Sequence, residues 1–389
     1  MFKRVIPTIF VVLLAIGFLD CSHADGFADD REPLNVLLIT ADDLNYDSVG
    51  CYGCEIPNIT PNIDRLYQNG VSFDRSYCTD PVCCPARASW ASGLYTSEAG
   101  MPFNGGHFHE HIPDIGQLLE AGGYNAYHCG KWHVSGREVT DSFKTLYYGA
   151  QPIGAGGAEY YDSVSTHAVL DFLSTYEQGE PFYLQIGFVN PHDICEYEHN
   201  FEEKHIPDPI EQGLLDDRDL PPLPSNFAYD PGEIIVQQVC RRDDEALIHW
   251  PILRKTREWS EVQWRYLIWN HCRFVEKVDH EIGIVLNALS ATRFCDDTVI
   301  IFSVDHGEAY GQHQMFQKFT LYEESIRVPF VVASSGDGFN LQKNRVDAQH
   351  LVSGVDLFAT VCDYAGIETP GNTHGVSVRP LAEGAEVPW

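Results

Sequence analysis

Pro33-Leu34-Asn35-Val36-Leu37-Leu38-Ile39-Thr40-Ala41-Asp42-Asp43 is the stretch from which the fold can be read. Its apolar, β-branched run lacks polar alternation, which is how a strand buried on both faces of a sheet is written. The run ends on two adjacent carboxylates, at the strand edge where open α/β sheets place their sites. The pattern recurs downstream. Tyr124–His128 runs into Gly130-Lys131-Trp132-His133, and Phe182–Val189 into Asn190-Pro191-His192-Asp193. Thr298–Ser303 runs into Val304-Asp305-His306-Gly307-Glu308, and further strands are expected near Val71–Phe73 and Val328–Ala333.

Helices are expected between these strands. Thr60 as cap and Pro61 at the first helical position open one. Ile112–Ala121 is a second, and Asp356–Gly366 another, closed by its glycine. Ser260–Leu289 forms a long helix with Phe274, Val278, Ile282 and Leu286 along one face. Such alternation predicts an α/β fold: a doubly wound, mostly parallel or mixed central sheet flanked by helices.

A chain of 389 residues holds one large α/β domain or two ordinary ones, and 44% hydrophobic content excludes disorder. The net charge of −31 repels nucleic acid and anionic membranes, so no nucleic-acid partner is expected. It also repels anionic substrates at long range, so anion specificity must come from a local basic pocket. Met1-Phe2-Lys3-Arg4, the apolar run Val5 to Leu19 and Ser22-His23-Ala24 read as a secretory signal peptide over residues 1–24. The run is too short for a permanent anchor, so residues 25–389 are expected as a secreted or periplasmic catalytic domain. From Ile194 to about Glu258 the chain is polar and Pro-rich, an insertion over the active site that brings Glu196, Glu198, His199 and Asn200 close behind His192. Of the 12 cysteines, Cys21 leaves with the signal peptide, so an odd number remains. Cys51 and Cys54 have zinc-like spacing but no second pair, and are expected as a disulfide or free thiols. His107, His109 and His111 alternate in a Gly-rich loop, expected as a surface near the substrate, with a second metal as the alternative.

Cys83-Cys84-Pro85-Ala86-Arg87-Ala88-Ser89-Trp90-Ala91-Ser92-Gly93 carries the chemistry. Pro85 suits a helix's first turn, so both cysteines fall at a helix N-terminus, where orphan N–H groups favour negative charge. Arg87 adds a fixed cation. A thiol there has its pKa lowered and becomes a nucleophile. The bland alternative is a buried cysteine pair opening an ordinary helix. Asp42, Asp43 and Asp305 are hard oxygen ligands suited to Ca²⁺ or, second, Mg²⁺, although each acid taken singly reads as a cap or a solvated turn.

Together these motifs resemble the type I, formylglycine-dependent sulfatases of the alkaline phosphatase superfamily. Their signature is Cys-X-Pro-X-Arg, followed after three residues by a small or apolar residue, Ser/Thr and Gly, here Ala91, Ser92 and Gly93. Only Cys83 stands two before Pro85 and four before Arg87, so Cys83 aligns with the modified cysteine and Cys84 with X. The resemblance implies a formylglycine at Cys83, made by a formylglycine-generating enzyme. It implies a metal held by Asp42, Asp43, Cys83, Asp305 and His306, with Ca²⁺ expected. It further implies that Arg87 holds the formylglycine hydroxyl, that Lys131 and Lys318 bind sulfate, that His192 protonates the leaving oxygen and that His133 deprotonates the hydrate. The likeness runs from Asn35 to about Leu381. The family normally continues into a smaller C-terminal subdomain, and this chain stops at Trp389, so that subdomain is expected to be missing. The implied activity is hydrolysis of a sulfate ester or sulfamate, on a sulfated small molecule or glycan. A phosphonate monoester or phosphodiester hydrolase, and an inactive secreted sulfoglycan-binding protein, remain as alternatives.

Overall fold

The first strand, β1 (Asn35–Asp42), is buried at every residue, as its unbroken apolar run requires. The computed structural model describes residues 33–148, 157–195, 213, 215–235, 259–338 and 340–389. The expected signal peptide lies outside these residues, as does most of the expected insertion, including Glu196, Glu198, His199 and Asn200. In the eight-stranded sheet, β1 is flanked in parallel by β5 (Phe182–Pro191) and β6 (Thr298–Val304). Beyond β5 come β3 (Asn125–Gly130) and the edge strand β4 (Lys144–Tyr147), also parallel. Beyond β6, β9 (Phe330–Ser334) runs antiparallel to it and to β2 (Gly70–Tyr77), and β10 (Arg345–Ser353) closes the other edge parallel to β2. A small hairpin, β7 (Ala309–Tyr310) and β8 (Phe316–Gln317), forms a second sheet.

Alternate residues of β1 feed two separate cores. Val36 and Leu38 pack with α2 (Cys83–Ser92), α3 (Ile115–Ala121) and α6 (Gly354–Tyr364). Leu37 and Ile39 pack with α1 (Pro61–Gln68), α4 (Ala158–Thr175) and α5 (Glu261–Ser290). Helices thus cover both faces of a mixed, mostly parallel sheet, the doubly wound arrangement expected. No described helix is long and apolar enough to cross a membrane.

Several local expectations are corrected. The helix expected from Ile112 starts at Ile115, because Asp114 and Gln117 form a capping box there. Thr60 does not cap α1; its hydroxyl accepts the Gly50 N–H at 2.8 Å instead. The orphan N–H groups of Asn62 and Ile63 are taken by Asp279 of α5, at 3.0 and 2.9 Å. That contact pins α1 to α5 with a charge placed favourably for the helix dipole. Phe274 leaves the core stripe of α5 and packs only partly buried in a small cluster with Trp264, Leu267 and Tyr310. Cys51 and Cys54 are free thiols, one of the two states expected for them. The Pro-rich stretch docks on α5: Arg265 donates to the carbonyls of Pro221 and Leu220 and pairs with Asp217.

Candidate active site

Four strands deliver the site, and β1 delivers the densest charge. Neighbouring strand residues point to opposite faces. Asp43, however, has φ of 65°, in the left-handed region, which ends the alternation at Asp42. Both carboxylates therefore reach one site, each fully buried.

Cys83 is the first residue of α2, with its Sγ 3.7 Å from Asp42 Oδ1, 3.1 Å from His306 Nε2 and 3.3 Å from Lys318 Nζ. Burial and Asp42 push the Cys83 thiol up, but Lys318, His306 and Lys131 outweigh them and hold it well below the ordinary thiol range. His133 also hydrogen-bonds it. Cys84 turns the other way. Its Sγ meets Ser135 Oγ at 3.5 Å, its N–H is accepted by Asn104 Oδ1 at 3.0 Å, and burial pushes its thiol up. The two adjacent cysteines are thus chemically unlike.

Arg87 projects from α2 into the same space. It donates to Asp305 Oδ2 at 2.8 Å, to Asp42 Oδ2 at 2.9 Å and to the Lys131 carbonyl at 3.0 Å. Its contacts here join β6, β1 and the end of β3. Lys131 Nζ pairs with Asp42 Oδ2 at 2.6 Å. Glycines let it arrive. A Cβ on Gly130 would come 2.2 Å from the Gly187 carbonyl oxygen, and one on Gly187 equally close to that of Lys131. Only bare backbones allow β3 and β5 to meet there, where the Lys131 N–H donates to the Gly187 carbonyl at 2.7 Å.

His192 follows β5, with Nε2 3.9 Å from Asp42 Oδ1 and 3.7 Å from Asp43 Oδ2. Its approach is set by Asp162 of α4, whose carboxylate accepts the N–H groups of Val189 and Asn190 at 2.6 and 3.0 Å. Asp193 accepts the N–H groups of Gly157 and Ala158 at 3.0 and 2.7 Å, tying the same turn to the start of α4. Lys318 Nζ contacts both Asp43 oxygens at 2.8 and 2.9 Å, and His306 Nδ1 lies 3.0 Å from Asp43 Oδ1.

These carboxylates differ sharply. Burial raises Asp42, but Lys131, His192, Arg87 and Lys318 hold it well below the usual range; Asp43 is depressed likewise, chiefly by Lys318 and His306. Asp305 is pushed up to about 7 by burial and by Asp42. Ligand atoms of Asp42, Cys83, Asp305 and His306 all lie within 4.8 Å of one another, while Asp43 groups with His192 and Cys195. The donors fit a hard divalent cation, since one placed among them would relieve the excess negative charge that raises Asp305. Every site residue expected from the sequence is buried around this point. Asp162, Asn104 and Tyr310 were not expected; the Tyr310 hydroxyl donates to the Asp43 carbonyl at 3.2 Å. A position three residues behind His192 is the only sequence signal that marks Cys195.

The sulfatase family model matches residues 34–367. A Delta 4,5-hexuronate-2-O-sulfatase of Bacteroides thetaiotaomicron is 30% identical over 386 residues, spanning 95% of this chain and 75% of that protein. The solved structure of a 2-O GAG sulfatase superposes with a TM-score of 0.77 at 29% identity, over 91% of this chain and 75% of that one. A phosphonate monoester hydrolase of Agrobacterium radiobacter shares the fold, with a TM-score of 0.69 at 21% identity over 91% of this chain and 78% of its own. With the family match running from the first residues of β1 to just past α6, this chain belongs to the sulfatases and is a sulfuric ester hydrolase.

Proposed function

We propose that the protein removes sulfate from a sulfated glycan, acting at a chain end or on a small oligosaccharide. A 2-O-sulfated uronic acid is the favoured substrate, on the strength of the 2-O-specific relatives. The observation that carries the chemistry is the setting of Cys83 Sγ, within 3.7 Å of Asp42, His306 and Lys318 and at the head of a helix. That sulfur stands where the oxygens of a formylglycine side chain would be. Formylglycine, once made from Cys83 by its generating enzyme, supplies the nucleophilic hydroxyl. Asp42, Asp43, Asp305, His306 and the modified residue 83 would hold Ca²⁺, which would supply Lewis acidity when bound.

The chain's own groups do the rest. Lys131 and Lys318, both buried, offer ammonium protons to sulfate oxygens where no water competes. Arg87 holds the carboxylates of Asp42 and Asp305 in register and presents its charge to the nucleophile. His192 gives a proton to the leaving sugar oxygen. His133, whose basicity burial lowers, takes a proton from the nucleophilic group to release sulfate. The signal peptide at residues 1–24 would deliver this activity to the periplasm or the exterior.

The test is sulfate release from a panel of sulfated mono- and disaccharides by protein coexpressed with a formylglycine-generating enzyme, beside matched phosphate and aryl sulfate esters. An unsaturated or saturated uronic acid 2-sulfate should give the highest kcat/KM, with aryl sulfates far behind. Fast aryl sulfate cleavage with no sugar sulfate turned over would sink the glycan assignment. Faster turnover of the phosphate ester would move the protein to the phosphohydrolases.

A further inference from the structure

Cys195 has no place in the chemistry above, yet it is buried at the site's edge, 4% exposed, three residues behind His192. Its Sγ lies 4.0 Å from Asp43 Oδ2, and His192 Nε2 lies 3.7 Å from that same oxygen. Ligand atoms of all three residues fall within 4.8 Å of one another. A tetrahedral zinc, with bonds of about 2.3 Å to sulfur and about 2.0 Å to nitrogen and oxygen, spaces its ligands roughly 3.3–3.6 Å apart. The two separations to Asp43 need to close by about half an ångström or less. We propose that Asp43, His192 and Cys195 form a second metal site, selective for thiophilic divalent cations such as Zn²⁺ or Cd²⁺, whose occupation inhibits the enzyme.

Selectivity follows from the donors. One thiolate, one imidazole and one carboxylate suit zinc and cadmium, whereas the neighbouring carboxylate-rich group suits calcium. Three protein ligands leave a fourth position open toward the pocket. The histidine is available as well. His192 is 3% exposed, and its Nδ1 has no hydrogen-bond partner among the described residues. With the ring proton carried at that unpartnered Nδ1, Nε2 can present its lone pair toward Asp43 Oδ2. Lys318 also contacts Asp43 Oδ2, at 2.9 Å, so an entering cation competes with an ammonium. That competition keeps the site from being filled permanently and makes it an inhibitory one. Asp43 belongs to the calcium set too, so excess Ca²⁺ should oppose the inhibition. The inhibition itself rests on the proposed role of His192 as proton donor; metal binding does not.

Two readouts separate these claims. In a calcium-loaded C83S background, which removes the other thiol of the site, Cd²⁺ should give a thiolate-to-metal charge-transfer band in the near ultraviolet. C83S/C195S should lose the tightest-binding phase of that titration. In formylglycine-bearing enzyme, Zn²⁺ should inhibit sulfate release, and C195S should need about tenfold more zinc or greater, in line with the loss of one ligand-sphere contact. C195S should keep its zinc-free activity, and C195A serves if the serine variant folds poorly. An unchanged cadmium titration in C83S/C195S overturns the site. A titration that tracks Cys195 while zinc sensitivity does not overturns the inhibition. The spectroscopic arm needs no substrate, so it stands even if the glycan assignment fails.

Discussion

Cys83 and Cys84 share a peptide bond but not an electrostatic environment. Lys318 and His306 surround the first, while Ser135 and Asn104 meet the second. C83A should abolish turnover with the fold retained, and C84A should keep most of it. Circular dichroism and sulfate release measure the two halves of that statement, and mass spectrometry of the tryptic peptide should find the carbonyl at position 83 alone. Loss of activity in C84A with Cys83 converted would contradict the assignment. At the same scale, elemental analysis should find calcium, and stripping it should lower both Tm and activity until Ca²⁺ is restored. Stoichiometric zinc in active protein would contradict the hard-ligand reading. Asp42, Lys131, His192 and Asp305 were legible because each follows the end of an apolar run, and Cys83 and Arg87 because of the Cys-X-Pro-X-Arg spacing. Asp162 was not legible: it is one of 56 acids, in mid-helix, and only the folded chain shows it beneath the end of β5.

Among the elements, the contact of α4 with β5 controls the geometry of His192. Removing the Asp162 carboxylate leaves two backbone N–H groups buried without acceptors, at about 1–3 kcal/mol each. Asp162→Ala should therefore lower stability by about 2–6 kcal/mol and reduce kcat more than KM, while Asp162→Asn should retain much of both. Denaturant unfolding and steady-state kinetics check this; an Asp162→Ala variant with full kcat would show that β5 holds its end unaided. His128 of β3 gives a pH-dependent counterpart. Burial holds its pKa at about 3, against about 6.5 when unfolded, so the folded chain keeps it neutral. The unfolded chain alone takes up that proton between these values, so stability falls by about 1.4 kcal/mol per pH unit as pH drops below 6.5. His128→Gln should flatten the acid limb of a curve of unfolding free energy against pH by that slope, and an unchanged slope would mean the buried imidazole charges in place. The 30-residue helix α5 and the buried strands were readable from period and length, whereas the 18-residue α4 was not. The edge strands β4 and β10 were not, because an edge exposes one side and breaks the apolar run, as the exposed Lys144, Thr145 and Leu351 show. Nor was the start of α3, which a cap decides and hydrophobicity does not.

For the whole molecule, charge opposes function at a distance. A net charge of −31 repels a sulfated oligosaccharide until it enters the pocket of Lys131, Lys318 and Arg87. Added salt shortens the reach of that repulsion to about 8 Å at physiological ionic strength. kcat/KM on a multiply sulfated oligosaccharide should thus rise from low to moderate salt, and a neutral aryl ester carrying one sulfate should respond less. A monotonic fall for the oligosaccharide would show that the pocket's local field dominates its capture. The order of the strands has a consequence in time. Neighbours in the sheet are distant in sequence: Arg75 of β2 donates to the Gln349 carbonyl in β10 across 274 residues. At about 5–20 residues per second of synthesis, β2 waits roughly 14–55 s for that neighbour to be made. For most of that interval, until His306 and Lys318 are polymerised, the growing chain carries Cys83 on a segment that those residues do not yet enclose. Ribosome-bound chains stalled before residue 298 should therefore be cut readily near Cys83 by added protease, and chains carried through Trp389 should resist it.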